Sequence, residues 1–160
     1  MISLKKHIYF FYPFILFIII LCSNACNKKC SELQSSVTGK AIGLYDFKDC
    51  FIYAQFDSTL KITSDTAFES FQKQHFKFCT ASLDPIDFSK NCLLGFKVKA
   101  IACNAAFHRN VEIDSVKKIY RYTVTVEKCE GCGTDITSTN IILAPQIPMG
   151  YSLQFRTKTQ

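Results

Sequence analysis

Cys129-Glu-Gly-Cys132-Gly is the segment of this chain with the most obvious chemistry. Two thiols three positions apart can close a disulfide, ligate a metal or cycle redox equivalents. Tetrahedral zinc takes four thiolate or imidazole ligands at about 2.0–2.3 Å. Cys103 and His108 complete one such set with Cys129 and Cys132. A redox pair needs a depressed thiol pKa, usually at a helix N-terminus. Here Gly131, Gly133, Asp135 and Thr137 surround the motif and no amphipathic helix follows. No second C-x-x-C exists to pair with the first. The motif is therefore read as disulfide chemistry, with no metal and no cofactor, and the Cys103, His108, Cys129, Cys132 zinc set is the alternative.

Other reactive residue types are sparse. His75 falls at helical spacing with Phe68 and Phe71 and reads as a core residue. His108 stands beside Arg109 in a strand-like stretch, and a general-base role for it requires a nucleophile within hydrogen-bond reach. Asp84 and Asp87 flank Pro85-Ile86, where carboxylates most often cap turns. No Gly-x-Ser-x-Gly elbow and no His-Glu-x-x-His occurs. The reading is a non-enzyme.

The N-terminus carries an address. Lys5 and Lys6 precede an apolar run from Ile8 to Leu21, and Ser23-Asn24-Ala25-Cys26 follows. A charged start, a short apolar core and small residues before the cut define a secretory signal. A spanning helix needs about 20 apolar residues, and this run is shorter and carries Pro13. Residues 1–25 are read as a signal peptide. Cys26 is read as the lipid attachment site of a palmitate-bearing lipoprotein, held on a membrane by several acyl chains. The junction, with Ser23 where Leu is usual, resembles the permissive lipoboxes of Bacteroidetes lipoproteins, and Asn27-Lys28-Lys29 looks like their short polar tethers. The expected location is the cell envelope, outside the cytoplasm.

Composition agrees. The chain has 160 residues, 48% hydrophobic and 20% charged, which suits one folded domain after the leader. The formal charge of +6 includes the leader's Lys5 and Lys6, and the remaining cations are scattered, as at Lys40, Lys61, Lys97 and Arg121. A nucleic-acid binder concentrates them in a stripe, so nucleic acid is excluded as a partner. Of nine cysteines, Cys22 leaves with the leader and Cys26 takes lipid. Cys30, Cys50, Cys79, Cys92, Cys103, Cys129 and Cys132 remain, an odd number in a compartment where disulfides persist. Spacing does not fix their connectivity. Cys50–Cys79 and Cys79–Cys92 are mutually exclusive candidates, and Cys30 is the expected free thiol.

The elements follow from periodicity. Residues 26–36 form a polar tether, and 37–160 read as a single α+β domain. Val37–Tyr45, Cys50–Phe56 and Leu60–Thr63 are strand candidates. Ser64, Asp65 and Thr66 can start a helix, and Thr66-x-x-Glu69 fits a capping box. Phe68, Phe71, His75 and Phe78 then share one face of a helix near 64–78. Strands follow at Leu93–Cys103, Ala105–Ile113, Lys117–Lys128, Thr139–Leu143 and Tyr151–Arg156. In the third of these, Tyr120, Tyr122, Val124 and Val126 alternate with Arg121, Thr123 and Thr125. Pro145 and Pro148 end the fourth or confine it to an edge. The expected fold is one helix with a mostly antiparallel sheet of six to eight strands, sandwich-like or half-barrel-like.

Ile86-Asp-Phe-Ser-Lys-Asn-Cys-Leu-Leu-Gly-Phe, Cys103-Asn-Ala-Ala-Phe-His-Arg-Asn-Val-Glu-Ile-Asp, Tyr120-Arg-Tyr-Thr-Val-Thr-Val and Ile147-Pro-Met-Gly-Tyr carry a resemblance. Together they resemble a group of uncharacterised Bacteroidetes lipoproteins. More distantly, residues 60–157 are similar to the C-terminal domain of bacterial protease-complex inhibitors. The resemblance implies a helix, a P-x-I-D-F entry into a strand and an antiparallel sheet. It also implies a disulfide between Cys103 and Cys132 and an envelope protein as partner. Lys97–Ala102 departs from the inhibitor pattern, which places a Gly-rich turn there. The resulting expectation is a lipoprotein anchored to a membrane that binds another protein or modulates a protease, with a metal- or thiol-dependent activity at the C-x-x-C as the alternative.

Overall fold

The computed structural model describes residues 34–160 apart from 49, 51–55, 81, 103 and 130–132. All of these lie in one compact unit, Gln34–Gln160. Among the described residues the strands are β1 (Ser36–Gly39), β2 (Gly43–Leu44), β3 (Thr59–Ile62), β4 (Asn91–Ile101), β5 (Asn104–Asp114), β6 (Ile119–Cys129), β7 (Asp135–Pro145) and β8 (Ser152–Thr159). The helix α1 spans Asp65–His75. The fold is α+β, as the patterning implies, and the strands form two four-stranded sheets. The first has the order β1-β5-β6-β8 and the second β2-β7-β4-β3. No helix among the described residues is long and apolar enough to cross a membrane.

Side-chain alternation explains the layering. Tyr120, Tyr122, Val124 and Val126 of β6 are almost wholly buried. They pack with Phe107 and Val111 of β5 against Cys92, Leu94, Val98 and Ala100 of β4 and Ile142 and Ala144 of β7. This is the core between the sheets. On the opposite face of the second sheet, Leu93 and Ile141 join Tyr45, Phe47, Ile62, Phe71, Phe76 and Phe88 in a second core under α1. The second sheet is thus covered on both faces, which accounts for the unbroken burial of Cys92–Gly95.

Several local expectations shift. Val37–Tyr45 is not one strand. β1 pairs parallel with β5, whereas β2 pairs antiparallel with β7 in the other sheet. Gly39, at φ 69°, is the pivot. A Cβ there would collide with the Val111 carbonyl and the Asn110 side chain, so the chain leaves the first sheet at a position that only glycine fills. Lys40 N donates to Val111 O (2.8 Å) on one side of the crossing and Ile42 N to Leu143 O (2.8 Å) on the other. Of the second strand candidate, Cys50 lies in a short helical turn and residues 51–55 fall outside those described.

The helix cap is Ser64, whose Oγ accepts from Ala67 N at 3.2 Å. The Thr66–Glu69 capping box does not form at the helix start, because Thr66 already lies inside the first turn; Glu69 instead pairs with Lys73 at 3.7 Å. Phe78 lies beyond the helix end and is 81% exposed, and Phe76 takes the buried place. β7 ends at Pro145 but is flanked by β2 and β4, so the proline terminates an interior strand. Two pairings are parallel, β1 with β5 and β6 with β8, within an otherwise antiparallel arrangement.

Replacing Gly39 by Ala forces a Cβ into the left-handed region and onto Val111 O. We expect a loss of about 1–3 kcal/mol, read as a lowered midpoint in chemical denaturation. An unchanged midpoint would show that the crossing tolerates a side chain.

Candidate functional site

The first sheet has one face in the core, and no strand or helix among the described residues packs on the other, although Ala106 and Thr123 on it are buried. On β5 the free face carries His108, Asn110 and Glu112. Across from them, β6 places Thr125, Thr123 and Arg121. β1 adds Ser36 opposite His108 and Thr38 opposite Asn110. On the far side β8 adds Gln154, Arg156 and Lys158 opposite Arg121, Thr123 and Thr125. The alternation of β6 therefore builds a polar surface as surely as it builds the core.

Within that surface three residues from three strands converge. Ser36 Oγ lies 2.9 Å from His108 Nδ1. His108 Nε2 lies 3.1 Å from Glu127 Oε2. A carboxylate only accepts hydrogen bonds, so it draws the imidazole proton to Nε2 and leaves the Nδ1 lone pair for the Ser36 hydroxyl. The His108 side chain is 28% exposed and that of Glu127 is 46% exposed. This is the nucleophile within reach that a base role for His108 requires. No sequence motif marks Ser36 or Glu127, because they lie 72 and 19 positions from His108. A linear motif cannot span such separations, and only the strand pairing brings them together.

The cysteines resolve in part. Cys50 and Cys79 form a disulfide, with Cα atoms 5.2 Å apart and a sequence separation of 29. Closing a loop of that length is worth about 3–4 kcal/mol in the chain-entropy account. The bridge excludes Cys79–Cys92, and Cys92 is a buried free thiol. Cys129 is also disulfide-bonded. Cys26, Cys30, Cys103 and Cys132 lie outside the described residues, and with them the implied Cys103–Cys132 bridge. His108 and Cys129 are four register positions apart on neighbouring strands, about 13 Å at the usual rise. With Cys103 and Cys132 outside the described residues, only these two members of the alternative set are placed. Among the described residues no group of three or more His, Cys, Asp or Glu is placed to hold a metal.

The remaining candidates are structural. Asp84 pairs with Lys48 at 3.1 Å, and its carbonyl accepts from Tyr45 OH at 2.7 Å. Asp87 accepts from Ser89 N at 3.0 Å and pairs with Lys90 at 3.0 Å. The Ser89 hydroxyl and the Lys90 ammonium hold its carboxyl below the ordinary range. His75 stacks on Phe71 at 4.6 Å. A groove of about 290 Å3 beside the Cys50–Cys79 bridge is lined also by Gln72, Lys73, Phe76, Lys77 and Leu83.

Inside the sandwich lies a polar knot. Arg109, 7% exposed, donates from Nε to Asn140 Oδ1 (2.9 Å) and from Nη1 to Phe107 O (2.7 Å). Burial lowers its pKa. Tyr122 OH donates to Asn140 O at 3.3 Å and Tyr120 OH to Pro145 O at 2.8 Å. Burial raises the pKa of both phenols. Burial likewise lifts the Tyr45 phenol to about 12, with the charge of Asp84 adding to it.

No protein-family model, characterised protein or solved structure matches this chain.

Burial pushes the Cys92 thiol up from 9.0 to about 11. The folded state then holds protons that the unfolded state releases, so stability is intact below about pH 9 and falls as pH rises through about 11 to 12. Denaturation midpoints measured from neutral to alkaline pH should decline across that window. In the same folded protein near pH 8, iodoacetamide should leave Cys92 unmodified by peptide mass mapping. Rapid alkylation there would contradict its burial.

Proposed function

We propose that this chain is an exported lipoprotein of the cell envelope, anchored through Cys26, whose domain binds another protein by strand addition along β8. The observation that carries the reading is the outer edge of β8. Ser152 N donates to Lys118 O (2.9 Å) and Gln160 N to Val126 O (3.0 Å). Even-numbered positions therefore turn their N–H groups towards β6. By alternation Leu153, Phe155, Thr157 and Thr159 turn theirs outwards, where no strand follows among the described residues. Such an edge accepts an extended segment through main-chain hydrogen bonds. Arg156 and Lys158 stand on the same strand, which contains no carboxylate, so it favours an acidic partner. The Cys50–Cys79 bridge is consistent with an oxidising compartment. A protease is one class of partner in this reading, on the sequence resemblance of residues 60–157 alone.

Two measurements test this. Thr157→Pro removes one outward N–H while leaving every bond to β6 in place. Capture of the partner from solubilised membranes should fall at least about tenfold, a loss of about 1.4 kcal/mol, with an unchanged melting temperature. Equal capture by both proteins would remove β8 from the interface. Separately, the N-terminus of protein purified from the envelope should begin at Cys26 and carry acyl mass. A retained Met1, or an unmodified Cys26 with a free amine, would end the lipoprotein reading.

A further inference from the structure

The Ser36–His108–Glu127 contacts lie in one corner of a row that crosses the whole first sheet. Reading the register outwards, Ser36 faces His108, His108 faces Thr125 and Thr125 faces Lys158. All four belong to the free face. Neighbouring strands are about 4.8 Å apart, so residues bearing a hydroxyl, an imidazole, a second hydroxyl and an ammonium follow one another in register across the sheet. The first three types in such proximity are a nucleophile, a base and a hydrogen-bond donor. Glu127, from the next row, orients the base at 3.1 Å.

We propose that this row is an acyl-accepting site, in which Ser36 takes the acyl group of a carboxylic ester. Ser36 Oγ attacks the carbonyl carbon and forms a new C–O bond. Its proton passes to His108 Nδ1, 2.9 Å away. The resulting imidazolium is held through Nε2–H by Glu127. As the tetrahedral centre collapses, the bond to the leaving alcohol breaks and His108 returns the proton to the departing alkoxide. Water then adds to the acyl-serine by the same route in reverse, releasing the acid and restoring Ser36. No oxidant, reductant or metal enters the balance. Thr125, in register with His108, is the hydroxyl assigned to charge developing at the carbonyl oxygen, and Lys158 adds positive potential along the same row. The site lies on a strand face whose His108 and Glu127 side chains are partly exposed, so the substrate class we assign is an activated ester presented from outside.

The acyl step predicts covalent capture. An alkyl fluorophosphonate phosphorylates an activated serine: the Oγ–P bond forms, P–F breaks, fluoride leaves and His108 takes the proton. In the full chain held in mild detergent, the probe should label Ser36, located by peptide mass mapping, at least about a hundredfold faster than in the urea-unfolded chain, the lower end of general-base effects. Ser36→Ala should abolish that label, and Glu127→Gln should slow it at least about tenfold with little change in melting temperature, since the lost contact is on the surface. His108→Gln should abolish the rate advantage; if that variant melts early because β1 loosens, Glu127→Gln decides alone. A merely structural contact predicts labelling no faster in the folded than in the unfolded chain. That result, or a Glu127→Gln rate equal to the parent's, would overturn the proposal.

Discussion

The structure depends on how two sheets meet across a core that contains polar groups. Three side chains of the first sheet, Arg109, Tyr120 and Tyr122, end on two positions of β7, namely Asn140 and Pro145. A hydroxyl or guanidinium in a dry core costs several kcal/mol if unpaired, and only about 0.5–1.5 kcal/mol is gained net when each bond forms. The asymmetry makes these contacts selective more than stabilising. Sliding one sheet against the other by a pair of residues keeps the apolar packing of Val124 and Ile142 roughly intact. It strands Arg109, whose Nε partner is a single amide oxygen. Asn140 is held in turn by Phe96 O and Ser138 O, each at 3.1 Å, so it cannot follow a displaced guanidinium. Relative placement of the sheets is therefore specified at one buried amide.

That specification propagates outwards through the pleat. With Tyr120, Tyr122, Val124 and Val126 pinned inwards, Arg121, Thr125 and Glu127 must face out. The same parity on β5 sends Arg109 into the core and its neighbour His108 to the free face. β1 is only four residues long and gains little from its ladder alone. Side chains fasten it: Ser35 Oγ accepts from Phe107 N (3.1 Å), Thr38 Oγ1 donates to Arg109 O (3.4 Å), and Ser36 meets His108. The imidazole can serve this fastening in either protonation state, because a protonated Nδ1 donates to the Ser36 oxygen that otherwise donates to it. Geometry at Ser36 is thus maintained through the proton transfer that a base must undergo.

Much of the fold is legible in the residues because burial has a period. The alternation in β6, the Ser64 cap and the punctuation at Pro145 all act within a few positions, where side-chain direction and backbone hydrogen bonding are decided locally. What escapes reading is non-local. Val37–Tyr45 has uniform strand propensity, and nothing in its pattern announces that Gly39 must turn left-handed to avoid Val111. The pairing of Cys50 with Cys79 over Cys92 depends on Cys92 facing the inter-sheet core, one pleat away from Leu93, which faces the helix. The Ser36–His108–Glu127 group has no signature in sequence for the same reason: parallel addition of β1 to β5 is a tertiary event.

The two sheets divide structure from chemistry. The second sheet is covered by the first on one face and by α1 with its aromatic cluster on the other, so its side chains are spent on packing and any change there is felt as stability. The first sheet has half its side chains and one long edge free of that duty. On its strand β6, Tyr120, Tyr122, Val124 and Val126 hold the core, while Arg121, Thr125 and Glu127 on the other face are partly exposed. A substitution at Thr125 or Glu127 alters surface chemistry at little cost to folding, while one at Val124 or Val126 opens the core. Such a partition lets the outer face of the first sheet change its chemistry while the second sheet keeps the fold.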